Sequence, residues 1–361
     1  MSVHCRTTST QATWFTFDPF DDYRFRVGTK RRKKKSPLIS LAVFVVTALA
    51  IAIPGAVGIS RAFNAELEGV SRNAALTTSL TERSPDFENY LLVGSDSREG
   101  ADPTDEDYAN VGDAADIGGQ RSDSMMVLHR EVASGAVSLM SIPRDLWVEI
   151  GDGTDKQRIN TAYQLGPDVL IRTVQRALSI PIHHYVEINF QGFKSIVDAV
   201  GGVTICVQHQ SRDKHTGLFM RRGCNTLDGV EGLAYARSRF FEQKIDGEWK
   251  VDGSSDIGRS GRQREFVQAL VKSAVVGLVD NPFRAGEVMR GGVSAVTVDE
   301  RLDLLEFAKK MRPAATTGIA SLHLETYGAM AGESEVLKLS EDAAPLLAYF
   351  AGVGPRPEPS S

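Results

Sequence analysis

Between Pro37 and Ile59 the chain carries no charged residue, and the unbroken basic run Lys30–Lys35 stands just before it. About twenty apolar residues in a helix rising ~1.5 Å per residue cross a hydrocarbon core of ~30 Å, so this stretch is long enough to span a bilayer. A secretory signal's apolar region is shorter, roughly 7–15 residues. A core helix of a soluble domain seldom stays free of charge for so long, and seldom follows a basic run. Lys and Arg are retained on the cytoplasmic side. The pattern therefore predicts a basic cytoplasmic tail over residues 1–36, a transmembrane signal-anchor helix over 37–60, and all later residues outside the cell. Pro54 predicts a kink in the span, which membrane helices tolerate better than soluble ones. With its arginines on the far side of the membrane from DNA, the chain is expected to have no nucleic-acid partner.

Cysteine usage agrees with that topology. Cys5 falls in the tail as a free thiol, while Cys206 and Cys224 fall outside, where an oxidising compartment allows a disulfide. Such a bridge would contribute about 3 kcal/mol; two separate thiols are the alternative. The net charge of −5 over 361 residues favours no class of partner. Residues 61–86 alternate Ala, Leu and polar types without a strong stripe and read as a stalk. A folded domain is expected over 87–352, and Gly354–Pro359 marks a disordered end over 353–361.

Inside the domain, Tyr90–Val93 is a short apolar run stopped by Gly94, hence a buried strand, and Asp102–Asp116 is an acidic loop. Met125–Leu128 and Ala136–Met140 flank Ser134-Gly135 and predict a hairpin. Helices are expected over Pro167–Leu178, Leu227–Arg239 and Gly258–Leu278. Tyr185–Phe190 alternates as a strand, Phe193, Ile196, Val197 and Val200 follow at helical spacing, and Val203–Val207 is a strand again. Strand, helix, strand in that order predicts a crossover unit and an α/β sheet covered by helices. Thr297 with Glu300 reads as a capping box opening a helix that buries Leu304, Phe307, Ala308 and Met311. Leu322–Leu324 and Val336–Leu339 read as late strands and Pro345–Phe350 as a closing helix.

The chemistry concentrates at strand ends. Asp96, Asp123 and Asp145 each stand within a few residues of an arginine: Arg98, Arg121 and Arg144. Carboxylates are hard oxygen ligands for magnesium, and guanidinium forks match phosphate oxygens, so such pairing suits a site that holds a divalent cation and a polyanionic phosphate together. Any single pair could equally be a surface ion pair of little energetic weight; it is the recurrence that counts. Asp96 and Asp123 are the candidate metal ligands, and Arg98, Arg121, Arg144, Arg237, Arg239, Arg259 and Arg262 the candidate phosphate clamps. A P-loop, an HExxH helix and a Gly-x-Ser-x-Gly elbow are all missing from the sequence. His183 and His184 are neighbours that point to opposite sides of a strand and read as structural or surface residues. Ser95 and Ser97 lack a histidine motif that would make either a nucleophile.

Taken together, Leu91–Arg98, Arg121–Met125, Ser141–Asp145, Arg158–Tyr163, Ile188–Phe193, Asp198–Val203, Leu227–Gly229, Tyr235–Arg239 and Asp256–Gln263 resemble the LytR-CpsA-Psr family of bacterial cell-wall enzymes, in its order and approximate spacing. The resemblance covers roughly Asn89–Phe266. It implies an α/β fold with a mixed central sheet flanked by helices, in a single-pass cell-membrane protein whose catalytic domain is extracytoplasmic. It also implies a phosphotransferase that moves a glycopolymer phosphate from a polyprenyl pyrophosphate carrier onto a peptidoglycan sugar hydroxyl. In that family's terms Asp96 and Asp123 would hold Mg²⁺ (or Mn²⁺), Arg98, Arg121, Arg144, Arg237 and Arg259 would bind the pyrophosphate, and Arg239, Arg262 and Gln263 would lie nearby. Catalysis would rest on Asp96, Asp123, Arg144 and Arg237. Phe193, Ile196, Val197 and Val200 would either line a tunnel for the lipid tail or form ordinary core. The glycopolymer could be arabinogalactan, teichoic acid or a capsular polymer. The paired cysteines resemble actinobacterial members. Gln191, Gly232 and Arg264 depart from the family pattern. A non-catalytic scaffold that binds the lipid pyrophosphate or wall polymer, or a polyprenyl pyrophosphatase, are the competing readings.

Overall fold

Alternation in the first apolar run places Leu91 and Val93 on one side of a strand and Tyr90 and Leu92 on the other, and both sides are covered. The computed structural model describes residues 70–95, 122–252, 255–280 and 296–358. The expected cytoplasmic tail and membrane span, the acidic loop, Asp96, Arg98 and Arg121 lie outside these residues. Among the described residues no helix is long and apolar enough to cross a membrane.

The main sheet comprises β1 (Ser71–Asn73), β2 (Phe87–Ser95), β3 (Ser122–Glu131), β4 (Val137–Ile142), β7 (His184–Ile188), β14 (Val296–Asp299) and β15 (Ile319–Leu322), in spatial order β1-β14-β7-β2-β3-β4-β15. It is mixed: β1 runs parallel to β14, β2 to β7 and β4 to β15, whereas β2, β3 and β4 are antiparallel neighbours. The β3–β4 hairpin turns as expected at Ser134-Gly135, where Gly135 takes a φ of 69° that a side chain would oppose.

One face carries Leu91, Val93, Met125, Val127, Met140 and Tyr185. Helix α2 (Pro167–Leu178) covers it with Leu170, Ile171, Val174 and Leu178, and α7 (Ala344–Phe350) with Leu346, Tyr349 and Phe350. The other face carries Tyr90, Met126, Leu128, Leu139 and Val186, beneath Val267 and Val271 of α5 (Ser255–Asp280) and Met311 and Ala314 of α6 (Leu304–Thr317). Each fully buried side chain of this size contributes about 1.5–3 kcal/mol, so two apolar layers of this kind account for the three-layer architecture. A third cluster joins α3 (Phe190–Ala199), α4 (Gly229–Arg237) and α5 to β8 (Val203–Val207), β10 (Leu218–Met220) and β11 (Gly223–Leu227).

Three expectations are corrected. First, the run from Tyr185 to Val207 is not a crossover within one sheet, because β8 pairs only with β11, antiparallel. Its outward Thr204 and Cys206 leave one apolar side, which suits a hairpin at the surface and not a central strand buried on both faces. In that hairpin Cys206 and Cys224 stand directly opposite and are joined by a disulfide. Second, Thr297 and Glu300 form no capping box: Val296–Asp299 is β14, whose alternating β-branched residues lie between β1 and β7. The helix is opened instead by Asp303, whose Oδ1 accepts the Glu306 N–H at 3.0 Å, the same chemistry further along the chain. Third, part of the stretch read as a stalk is sheet. Ser71–Asn73 forms the edge strand, and Leu76 and Leu80 are buried in the core.

The remaining strands are β5 (Trp147–Glu149) with β6 (Lys156–Arg158), β9 (Ser211–Asp213) with β10, β12 (Glu242–Ile245) and β13 (Glu248–Val251), and β16 (Thr326–Ala331) with β17 (Ser334–Leu339).

Candidate active site

β2 and β3 pair in register until Gly94 faces Ser124, and then the register shifts so that Ser95 faces Ser122. Asp123 is the extra residue of this β-bulge. Bulges re-aim a side chain at the end of a ladder, and they recur beside active sites. Asp123 thus stands at the β3 end across from Ser95 of β2, the residue that Asp96 follows in the sequence. Ser95 Oγ is buried and has no hydrogen-bond partner among the described residues. A buried hydroxyl of that kind is completed by a ligand, a water or the neighbouring loop. The oxygen donors expected here, two carboxylates beside serine hydroxyls, are of the type that hold Mg²⁺. Among the described residues no group of three or more His, Cys, Asp or Glu is gathered for a metal.

At the end of β4, two sequence motifs meet. Asp145 lies 3.4 Å from Arg144 Nε and 3.3 Å from Arg158 Nε, and the Asn160 N–H donates to the Arg144 carbonyl at 3.2 Å. Asp145 thus organises arginines. Tyr163 and Tyr185 both donate to the Glu187 carboxylate on β7, at 2.5 and 2.7 Å.

On the other face of the sheet, a cavity of about 150 Å³ lies between β2, β3 and β7 and the helices α3, α4 and α5. Leu92, Met126, Ile188, Phe190, Phe193, Leu233, Phe266 and Val267 make its wall almost wholly apolar, while Ser95, Ser124, Asn189, Arg237 and Gln263 supply polar atoms. Arg237, at the end of α4, lies with its guanidinium carbon 4.6 Å from the Phe190 ring centre. Gln263 Nε2 donates to the Ala236 carbonyl at 3.1 Å, tying α5 to the end of α4. Of the four residues expected either as tunnel or as core, only Phe193 lines this cavity; Val197 is fully buried in the third cluster and Val200 packs against it.

Two glycines set the helix spacing. A Cβ on Gly232 would stand 2.8 Å from Phe266 Cζ, and one on Gly229 would stand 2.5 Å from the Lys194 carbonyl oxygen. Gly232 therefore makes room for a ring of the cavity wall. Arg264 donates to Ser321 Oγ at 2.6 Å and Ser141 Oγ at 3.2 Å, which fastens α5 to β15 and β4.

The segment after α4 is held from inside by Asp213, a fully buried carboxylate on β9. It accepts Ser238 Oγ–H at 2.7 Å and the N–H groups of Arg239 and Phe240 at 3.1 and 3.0 Å. Burial acts to raise its pKa, but these bonds together with the His215 and Thr216 N–H groups outweigh that and hold it below the usual carboxylate value. Arg262 donates to the Ser238 carbonyl at 2.7 Å and to Asp252 at 3.2 Å. It braces the same segment. Arg259 is buried at the start of α5.

Of the expected site residues, then, Arg237 and Gln263 reach the cavity, Arg144 sits at the end of β4, Arg239 belongs to the braced segment and Arg262 braces it from α5. Asp123 is placed only by its backbone. Phe190, Leu233 and Asp213 were missed. The alternation of β7 running into Phe190 was a usable signal for the first; a lone aspartate in a basic loop gave none for the last. His183 and His184 are both buried, so they are structural and not surface groups. His184 pairs with Asp299 at 3.2 Å.

A sequence-family model described as the LytR_cpsA_psr family matches residues 60–347. A protein of Corynebacterium glutamicum described as probable cell wall biosynthesis protein LcpB is 40% identical over 215 residues, covering 59% of this chain and 48% of that protein. The Oceanobacillus iheyensis polyisoprenyl-teichoic acid–peptidoglycan teichoic acid transferase TagU is 32% identical over 251 residues, covering 67% of this chain and 68% of that one. The chain thus spans about half the length of the first relative and about two thirds of the second. Among solved structures, a LytR-Csp2A-Psr enzyme from Actinomyces oris superposes with a TM-score of 0.57 at 23% identity, covering 78% of this chain and 96% of that one. TagT bound to LI-WTA superposes with a TM-score of 0.55 at 23% identity, over 79% of this chain and 100% of that one. These likenesses establish the α/β fold with its mixed central sheet between helices. By the extent of the family match, this chain belongs to the LytR_cpsA_psr family.

Proposed function

We propose that this protein transfers a glycopolymer phosphate from a polyprenyl-pyrophosphate-linked donor to a sugar hydroxyl of peptidoglycan, as a membrane-anchored enzyme with its catalytic domain outside the cell. The observation that carries the reading is the apolar cavity with Arg237 in its wall, which Ser95 at the end of β2 and Ser124 beside the β3 bulge also line. An isoprenoid chain is pure hydrocarbon and a pyrophosphate is a dense anion, so a ligand joining the two needs this juxtaposition. Relatives described as polyisoprenyl-teichoic acid–peptidoglycan transferases support the same class of reaction.

In this mechanism Phe190, Phe193, Leu233 and Phe266 bind the first isoprene units and exclude water from the phosphates. Arg237 and Arg144, with Arg98, Arg121 and Arg259, bind the pyrophosphate, and Asp213 and Arg262 keep the Arg237–Arg239 segment in place. The acceptor hydroxyl oxygen forms a bond to the sugar-linked phosphorus, and the bridging bond to the second phosphate breaks. Polyprenyl phosphate leaves, and the hydroxyl proton departs to a carboxylate or a phosphate oxygen. Mg²⁺ or Mn²⁺ held by Asp96 and Asp123 would supply charge neutralisation at the phosphates.

The test incubates the reconstituted full chain with a polyprenyl-pyrophosphate oligosaccharide and a peptidoglycan fragment, and follows glycan-phosphate attachment by mass spectrometry. Attachment that stops with EDTA, returns with Mg²⁺ and is lost in Asp96→Ala supports the transferase. Tight donor binding without product across several donors would replace it with a scaffold, and hydrolysis without transfer with a pyrophosphatase.

A further inference from the structure

The four-stranded sheet β10-β9-β12-β13 buries one face, and among the described residues its other face carries exposed side chains. On the inner face Leu218, Met220, Ser211 and Asp213 are buried. On the outer face the register runs from Phe219 to Arg212, from Arg212 to Glu242 and from Glu242 to Val251. Phe219 is 52% exposed and Val251 58%. Trp249 lies beside Val251 on that face, with the Arg212 guanidinium 3.9 Å from its ring centre and Lys244 Nζ at 5.9 Å. Phe240, 52% exposed, lies just before β12 with its ring against that of His215. Lys214, Arg221, Arg222 and Lys244 are exposed around it, outnumbering the exposed Asp246 and Glu248 near the β12–β13 turn, while Arg212 is paired with Glu242.

A single exposed apolar residue needs no explanation. Here several share one sheet face, with the Arg212–Glu242 pair between them and an excess of cations around them, and that combination fits the headgroup layer of an anionic bilayer. Aromatic and aliphatic side chains enter the acyl boundary there while Lys and Arg meet phosphate groups. A glycan fits less well. Sugars are held by an open ring face with hydrogen-bonding groups beside it, whereas the Trp249 ring has Arg212 stacked over it, and Phe219, Phe240 and Val251 offer no polar atom.

We propose that the outer face of this sheet docks on an anionic lipid bilayer, an inference that rests on the lipid-linked donor of the reading above. The geometry links the two. β9 carries Arg212 on its outer side and, on its inner side, Asp213, which fixes the segment holding Arg237. Bilayer contact and the arginine at the lipid cavity are thus set by opposite faces of one strand.

The test uses the full chain with Trp14→Phe and Trp147→Phe, so that Trp249 is the sole tryptophan, reconstituted in phosphatidylcholine vesicles with or without phosphatidylglycerol and with bromine on the acyl chains. The expected result is a blue shift and bromine quenching of Trp249 in the anionic vesicles, weakened several-fold by raised salt and by the Phe219→Ser/Val251→Ser variant. Both substituted residues are exposed, so its melting temperature should match the parent's. The variant should also show a several-fold higher KM for donor embedded in anionic vesicles and an unchanged KM for a short-chain, water-soluble donor. Trp249 emission that ignores bromolipid would overturn the proposal, as would emission that responds to a soluble peptidoglycan fragment instead. If quenching is seen but no donor is ever turned over, docking stands and the transferase reading falls.

Discussion

The guanidinium of Arg237 is seated on the Phe190 ring, 4.6 Å from its centre, at the wall of the apolar cavity. The contact orients a planar cation whose fork suits two phosphate oxygens at once, which an ammonium cannot reproduce. Arg237→Lys should therefore lower transfer roughly 10–100-fold, equivalent to about 1.5–3 kcal/mol for a lost charge-assisted bond, with the circular dichroism spectrum unchanged. Rates equal to the parent's would remove Arg237 from the phosphate clamp.

Asp213 makes a different prediction, since it touches no substrate. Replacing it with Asn keeps the shape but removes the charge that five donors share, and stability should fall by about 1–3 kcal/mol, seen as a melting temperature lower by several degrees. Its folded pKa is depressed, so its contribution is present above the unfolded carboxylate value and lost as pH falls through the folded one. The gap between parent and Asp213→Asn should accordingly close in acid. A gap that is constant from neutral to strongly acidic pH would refute the charge as its cause.

Gly232→Ala sets two effects against each other. Alanine favours a helix by about 1 kcal/mol over glycine, but its Cβ would come within 2.8 Å of Phe266 Cζ, a ring that is 1% exposed. Overpacking of this sort costs about 1–3 kcal/mol, so the variant should be less stable overall. Because Phe266 lines the cavity, its KM for the lipid donor should rise. A more stable variant with unchanged KM would show that the ring moves freely.

Acid sensitivity should come from two buried histidines. The Asn89 N–H donates to His183 Nδ1 at 2.8 Å, and His129 Nδ1 lies 2.7 Å from Asn89 Oδ1. Burial pushes both imidazoles down to about 4. The unfolded chain takes up these protons near pH ~6.5, so stability is complete above that value and declines as pH falls towards 4, by at most ~3 kcal/mol for each residue. Urea midpoints measured between pH 7 and 4.5 should drop accordingly. A flat profile would rule out neutral burial of this pair.

Much was legible without coordinates because it is local. Alternation in Tyr90–Val93 and Met125–Leu128, the Ser134-Gly135 turn and the periodicity of Pro167–Leu178 are all patterns of neighbouring residues. The arginines could be named as a set from composition at strand and helix ends, and Arg237 and Gln263 do reach the cavity. What tertiary structure alone decided depends on partners far apart in the chain. Val296–Asp299 became a strand because β1 and β7 flank it, overriding a local capping pattern. Val203–Val207 left the main sheet for a disulfide-closed hairpin with β11. Asp213 gained its role from Ser238–Phe240, and Gly232 from a ring on another helix. Sequence determined the elements and the chemical inventory, since side-chain periodicity and charge are properties of the chain itself. Which groups share a cavity, and which merely brace it, was decided by packing, since only burial can place side chains distant in sequence within contact of one another.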